Sequence, residues 1–341
     1  MNRRQIITIA EKTALTKWLL EKVRFAYGIW RVFQKFEIRW HEYPTTFFKL
    51  KRMLNQCDWN ADEFFYYHYP NLTKEQVKAF ISEKEHDKIA DMLNGNNNIA
   101  VQILGDKWNT YIHFKPFFKR QACLSSEWIG SQLEQSDANR LILKPLRGSF
   151  GSGIIILKTS EIKGFLEREK NCEYIIEEVV EQDERMAKLH PQSVNTLRIH
   201  TICFEDKVEV FHPYLRVGRG NSIVDNAGNG GVFTCCDKET GKVMKIVDEA
   251  GHSFKEHPDN GYPLLDFQVP RWIEAIETAR KLALHNKNIH YAGWDLALSK
   301  EGWVLIEGNP RAQFIFQISE QVGFRKELIS ILHKYGIDYT N

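Results

Sequence analysis

Asp295 and Glu307 lie on either side of a glycine-containing turn in AGWDLALSKEGWVLIEGNP. If Lys300, Glu301 and Gly302 form a three-residue hairpin loop with Gly302 in the left-handed position, Ser299 pairs with Trp303, Ala297 with Leu305 and Asp295 with Glu307. Cross-strand partners share a face with Cβ atoms roughly 5 Å apart, so two ionised carboxylates there need something cationic between them. Asn309 adds an amide oxygen on the same side. Two carboxylates and a neutral oxygen suit Mg²⁺ shared with phosphates. The other face, Trp294, Leu296, Leu298, Val304 and Ile306, is uniformly apolar and would anchor the hairpin. In a different register the acids never meet.

A second candidate is the loop in KPLRGSFGSGIIIL, where Gly148, Gly151 and Gly153 fall between two strand-like runs. A phosphate loop or a dinucleotide fingerprint requires a strand-to-helix context, so both fail here. What remains is a hairpin tip whose amides can close over a phosphate chain, with Lys144 on the strand leading in. The other reading is a flexible hairpin beside a solvated lysine. In YIIEEVVEQDE a strand runs into Glu177, Glu178, Glu181, Asp183 and Glu184. That segment is either an acidic strand end or an edge offering backbone groups to a purine and a carboxylate to ribose hydroxyls. Arg198 alternates with Leu197 and Ile199, and Arg216 and Arg219 precede the glycine-rich RVGRGNSIVDNAGNGG. An arginine among apolar strand neighbours must reach an anion, solvent or a cross-strand ion pair.

The elements that would position these residues differ along the chain. Leu15, Leu19, Val23, Ala26, Trp30 and Phe33 recur at helical spacing, with Lys17, Glu21, Arg24, Gly28, Arg31 and Lys35 opposite, which predicts an amphipathic helix over 15–36. Helical stretches continue to about Leu93, and the polar run Asn94 to Asn98 reads as a lobe boundary. Short apolar runs bounded by glycine then indicate strands, interleaved with helices such as 271–284. The expected class is α+β, with a helical region over 1–98 and lobes over 99–181 and 182–341.

The 341 residues are 43% hydrophobic and 26% charged, inside the globular range. Six scattered cysteines without C-x-x-C spacing read as reduced thiols. In MNRRQIITIAEK the apolar stretch is shorter than the roughly 7 to 15 residues of a signal sequence, and no run approaches the roughly 18 of a membrane span. The expectation is a cytoplasmic protein. The twelve histidines show no zinc spacing, His252 with His257 reads as a solvated pair, and vicinal Cys235 and Cys236 read as strand residues. No G-x-S-x-G, H-R-D or D-F-G motif occurs, which disfavours zinc hydrolysis, serine acyl transfer and protein-kinase chemistry.

In chain order, the glycine hairpin, NTLRIHTI, VDNAGNGG and GWDLALSKEGWVLIEGNP resemble the ATP-grasp superfamily, and most closely its sugar-transfer-associated branch, related to alpha-L-glutamate ligase-like proteins. The likeness covers about residues 100 to 335 and implies two α+β lobes clasping ATP, with Mg²⁺, expected as two ions. By position it implies Lys107 and Lys144 as phosphate- and adenine-side lysines. Arg147, Gly148, Ser149, Gly151, Ser152 and Gly153 would form the lid, and Glu177, Glu178 and Val180 the adenine hinge. Glu184 or Asp183 would hold the ribose, with Asn226 also at the nucleotide. Arg198, Arg216 and Lys144 would act on the phosphates, and Asp295, Glu307 and Asn309 would hold metal. The implied activity is ATP-dependent ligation through an acyl phosphate, joining a carboxylate to an amine in polysaccharide or peptide modification. A kinase on the same fold and a nucleotide-binding scaffold without turnover are the alternatives.

The net charge of +2 hides an asymmetry: residues 1–52 hold twelve Lys and Arg against four acids, +8, and the remainder carries −6. Near-neutral charge disfavours a generic nucleic-acid binder. The basic aromatic helix over 13–36 could contact an anionic membrane at its inner face or pack on its own lobes.

Overall fold

The structure, a computed structural model, describes residues 14–95, 99–148 and 151–339. The chain divides into two compact units, 1–77 and 78–341. In the first, α1 (Ala14–Lys35) is followed by α2 (Tyr43–Gln56), α3 (Ala61–Tyr66) and α4 (Lys74–Ala79), which runs across the division. Asn60 caps α3 reciprocally: its side chain accepts from Glu63 N at 2.9 Å, and Glu63 accepts from Asn60 N at 2.6 Å. The core of this unit gathers Phe33, Leu50, Met53, Trp59, Phe64 and Tyr67. Of the apolar stripe read from the sequence, Phe33 is buried, joined by Ile29, while Leu19, Val23 and Trp30 are exposed. The Leu15 side chain lies outside the described residues.

The second unit opens with α5 (Glu83–Asn94), α6 (Ile99–Leu104) and α7 (Lys107–Phe118). A four-stranded antiparallel sheet follows in the order β1-β4-β2-β3: β1 (Ala122–Leu124), β2 (Arg140–Pro145), β3 (Ile155–Lys158) and β4 (Tyr174–Glu178), with α8 (Thr159–Arg168) between β3 and β4. After α9 (Glu184–Ala187) come β5 (Thr196–Phe204), β6 (Lys207–Val217), β7 (Val232–Cys236), β8 (Val243–Asp248), β9 (Ser253–Phe254), α10 (Trp272–His285), β10 (Tyr291–Ser299) and β11 (Gly302–Asn309). These strands form a seven-stranded antiparallel sheet ordered β11-β10-β5-β6-β7-β8-β9. The chain closes with α11 (Phe316–Glu320) and α12 (Arg325–Lys334).

The compact division falls at 77/78, upstream of the polar run at 94–98, of which Asn96, Asn97 and Asn98 lie outside the described residues. The reason is chemical. Asn94 Nδ2 donates to Tyr291 O at 3.1 Å and its Oδ1 accepts from Tyr291 N at 2.9 Å, so the end of α5 is bonded to β10. Arg325 adds an ion pair with Glu85 on the same helix. Among the described residues no helix is long and apolar enough to cross a membrane, and all six cysteines are free. Cys235 and Cys236 are strand residues of β7. His257, expected in solvent, is buried instead, because its Nε2 bonds Gly218 O at 2.8 Å and its ring stacks on His190. His252 stays exposed beside Asp248.

Candidate functional site

The β10–β11 hairpin brings Asp295 opposite Glu307, though not by the expected route. The turn holds two residues, since Ser299 pairs with Gly302, Leu298 with Trp303 and Ala297 with Val304. A bulge between Asp295 and Leu296 leaves Ile306 unpaired and restores the Asp295–Glu307 match. As a result Val304 shares the face of Asp295, and Ile306 lines a cavity rather than the core under Trp294. Gly308 pairs with Trp294, whose ring would meet any added Cβ at 2.9 Å, so a glycine is required between Glu307 and Asn309.

Register carries this row across the sheet. Asp295 pairs with Arg198 on β5, and Arg198 with Tyr214 on β6. Arg198 grips both carboxylate oxygens of Asp295, with Nη2 at 2.8 Å from Oδ2. Arg216 Nη1 reaches Oδ2 at 3.0 Å, and its Nη2 lies 2.5 Å from Asp225 Oδ1. Asp225, itself buried, also accepts from Thr196 N at 2.8 Å and Thr196 Oγ1 at 2.5 Å. Two arginines and two aspartates thus form a closed clasp of zero net charge. Burial pushes the Asp295 carboxyl up, but Arg198 and Arg216 outweigh it and hold it below the usual range. Burial also raises the Tyr214 phenol, whose hydroxyl has no partner among the described residues.

On the facing sheet, Lys144 Nζ lies 3.0 Å from Glu177 Oε1, and Arg120 Nη2 lies 2.5 Å from Glu177 Oε2. Burial lowers the Lys144 ammonium despite this carboxylate. Burial likewise raises Glu177, but Arg120 and Lys144 bring it below its ordinary value. Between the sheets lies a cavity of about 810 Å³, to which Lys144, Arg198, Arg216, Tyr214, Glu307 and Asn309 all contribute. Gly151 lines it with φ +71°, and a Cβ there would stand 2.9 Å from Val224. A second cavity of about 560 Å³ shares Arg120, Glu178, Val179 and Val180 with the first.

The remaining expected residues divide. Glu177, Glu178, Val180 and Asn226 line the larger cavity. Glu178 accepts from Gln121 N at 2.8 Å, and Asn226 caps a turn by accepting from Gly228 N at 3.1 Å. Lys107, Arg147, Gly148, Ser152 and Gly153 are not among its walls; Lys107 donates to Gly148 O at 3.1 Å, tying α7 to the glycine loop. Ser149 lies outside the described residues. Asp183 and Glu184 are not among its walls either: Asp183 caps α9 and pairs with Arg185 at 2.9 Å, and Glu184 is exposed on that helix. Arg219 turns to Asp259 at 3.3 Å.

Among the described residues no three His, Cys, Asp or Glu side chains are grouped to hold a metal ion. The oxygen donors nevertheless suit Mg²⁺ at one end of the cavity. Glu307 faces it, and its ion-pair partner Lys107 is 3.8 Å away, beyond hydrogen-bond reach. Asn309 lines it too. Asp295 fits as a ligand only by sharing its carboxylate with the arginines.

Three participants escape the sequence reading. Asp225 immediately precedes Asn226 in VDNAGNGG and was open to notice as a buried acid beside an arginine strand. Arg120 and Glu177 lie 57 residues apart, with no local pattern to link them. Arg311, two residues past Asn309, lines the cavity while paired with Asp91 of α5 at 2.7 Å.

A family model described as sugar-transfer associated ATP-grasp matches residues 122–333. Among solved structures, the chain is similar to an ADP complex of purK, N5-carboxyaminoimidazole ribonucleotide synthetase, at 12% identity and TM-score 0.41, covering 63% of this chain and 47% of that one. It is similar to ATP-grasp ligase PsnB complexed with a minimal precursor at 13% identity and TM-score 0.43, covering 71% and 63%. Similarity to D-alanyl-alanine synthetase A from Vibrio cholerae O1 biovar eltor str. N16961 is 13% identity and TM-score 0.40, covering 67% and 64%. The chain therefore spans between 47% and 64% of the length of these structures. No curated protein matches it.

Proposed function

Because the chain belongs to the sugar-transfer-associated ATP-grasp family and has the α+β ATP-grasp fold, we propose that it is an ATP-dependent ligase that joins a carboxylate to an amine. The observation that carries this reading is the cavity between the two sheets whose walls include Lys144 from one sheet and Arg198, Arg216 and the oxygen donors Glu307 and Asn309 from the other. Such a lining offers cations for a polyanion and oxygen donors for a cation within one enclosure. Lys144 and the two arginines would hold phosphate oxygens and offset the charge that develops on the transferring phosphoryl group. Mg²⁺ held by Glu307, Asn309 and Asp295 would neutralise phosphate charge and orient the chain for displacement. Gly151 and the loop around it would close over the phosphates and keep water from a hydrolysable product.

In the reaction, a carboxylate oxygen attacks the γ-phosphorus, the bond to the β–γ bridging oxygen breaks, and ADP leaves an acyl phosphate. An amine then attacks the acyl carbon, inorganic phosphate departs, and the nitrogen loses one proton. We place this activity in the modification of a cell-surface polysaccharide or peptide, in keeping with the family description. Incubation with MgATP, candidate acids and hydroxylamine tests the reading. Hydroxamate formed together with ADP is the expected result. ADP with a phosphorylated alcohol would replace it with a kinase, and thermal stabilisation by ATP without any acid- or alcohol-dependent ADP would replace it with a binding scaffold.

A further inference from the structure

Among the described residues, the first unit carries an exposed helix face whose chemistry is specific. From Lys17 to Gly28 no residue of α1 is buried; burial begins at Ile29 and Phe33. Trp18 is 53% exposed, Val23 62%, Tyr27 59% and Trp30 48%. Tyr27 and Trp30 stack on each other at 5.6 Å, and Lys22 lies over the Trp18 ring at 5.6 Å. At 3.6 residues per turn, Leu19, Trp30, Val23 and Tyr27 fall within an arc of about 80°, whereas Arg31, Arg24 and Lys17 fall within about 40° beside it; Lys35, at the same angle as Lys17, is paired with Asp62 at 3.0 Å. Trp40 and Phe48, further along, are 82% and 73% exposed. Residues 17–52 hold nine Lys and Arg against three Glu, a net +6.

We infer that this face of α1 docks on an anionic phospholipid bilayer. An apolar arc with cations along one side, holding an indole ring within it and a phenol ring at the border nearest the cations, matches a helix lying in the headgroup plane with its apolar face toward the acyl chains. Charge selects among occupants. A surface of negative headgroups complements the basic segment, whereas a second copy would set one +6 segment against another. Nucleic acid would answer the cations and leave Val23, Leu19 and Phe48 in water. Docking is peripheral, since no described helix can span the bilayer.

The test uses the full chain and vesicles of phosphatidylcholine alone or with an equal part of phosphatidylglycerol. Flotation with the anionic vesicles at low salt, and not with phosphatidylcholine alone, is expected, falling as salt rises. Lys17→Gln and Arg31→Gln, both at exposed positions, should each weaken partition roughly fivefold, the equivalent of about 1 kcal/mol per basic residue near such a surface. Val23→Asp should abolish flotation while leaving thermal unfolding unchanged. No flotation at low salt, or equal flotation of the Val23→Asp chain, overturns the proposal. A lipid-free dimer dissociated by Val23→Asp would assign the face to a second copy, and duplex DNA binding that survives Val23→Asp, with vesicle binding absent, would assign the basic stripe to nucleic acid.

Discussion

Replacing Asp225 by asparagine should weaken the fold and strengthen nucleotide binding at once. The substitution keeps the shape that accepts from Thr196 N, at 2.8 Å, and removes the charge facing Arg216 Nη2 at 2.5 Å. A buried ion left without a partner costs about 3–5 kcal/mol. Arg216 retains Asp295 through Nη1 at 3.0 Å, so the loss should lie nearer the about 1.5–3 kcal/mol of one hydrogen bond to a charged group. The clasp, neutral in the native chain, would then carry +1 at the cavity wall. At an effective dielectric of about 20 and a separation of about 6 Å, one such charge attracts a phosphate charge by about 2.8 kcal/mol before screening. Even half of that is tenfold in affinity. Urea unfolding at unchanged m-value and calorimetric titration with MgATP, on the same preparation, give both numbers. An unchanged urea midpoint would mean the Arg216–Asp225 pair contributes nothing. Weaker ATP binding would mean that Asp225 serves to aim Arg216, and the neutral-clasp argument would fail.

Two further outcomes follow from the geometry. Glu307→Gln should change stability by no more than about 0.5 kcal/mol, because its side chain is 41% exposed and Lys107 at 3.8 Å makes no hydrogen bond to it. Nucleotide turnover should fall about 100-fold or more, and full turnover in that variant would remove Glu307 from the metal site. His212 holds α11 and α12 to β6 through Glu320 at 2.7 Å and Glu327 at 3.0 Å. Burial lowers the imidazole pKa, but the two carboxylates more than reverse this and raise it above 6.5, and Glu327 is brought from 4.5 to about 2, first by its bond to His212. A raised histidine gives stability that is complete below its unfolded pKa and lost as pH rises through the folded one. A depressed carboxyl gives stability complete above 4.5 and lost as pH falls toward 2. The urea midpoint should therefore be highest between 4.5 and 6.5 and decline above. His212→Gln should cost about 2 kcal/mol inside that window and flatten the alkaline decline; an unaltered pH profile would exclude His212 as its source.

What the sequence made legible follows reach. Asp295 opposite Glu307 was open to calculation because neighbouring strands repeat every second residue. Yet it emerged from two departures that cancel: a turn one residue shorter than expected, and a bulge that returns the lost residue at Ile306. Alternation could not reveal that bulge, since Ile306 is as apolar as Val304 and either serves a core or a cavity wall. Arg198 posed a choice between an anion and a cross-strand ion pair, and the structure shows why the choice was open: its pair partner is the carboxylate expected to hold metal. The ribose carboxylate was left open for a local reason. A seven-residue spacing from Glu177 carries no information about whether Asp183 will spend its oxygens on the α9 cap and Arg185. Arg120 on Glu177 and Asp225 on Arg216 depend on loops and on the approach of separate strands, which no periodicity encodes. The same limit explains α1: its pattern predicted an amphipathic helix, but a pattern specifies only that an apolar face exists. Which surface covers it is set by the charge around it, and there the +6 of residues 17–52 is the more informative number.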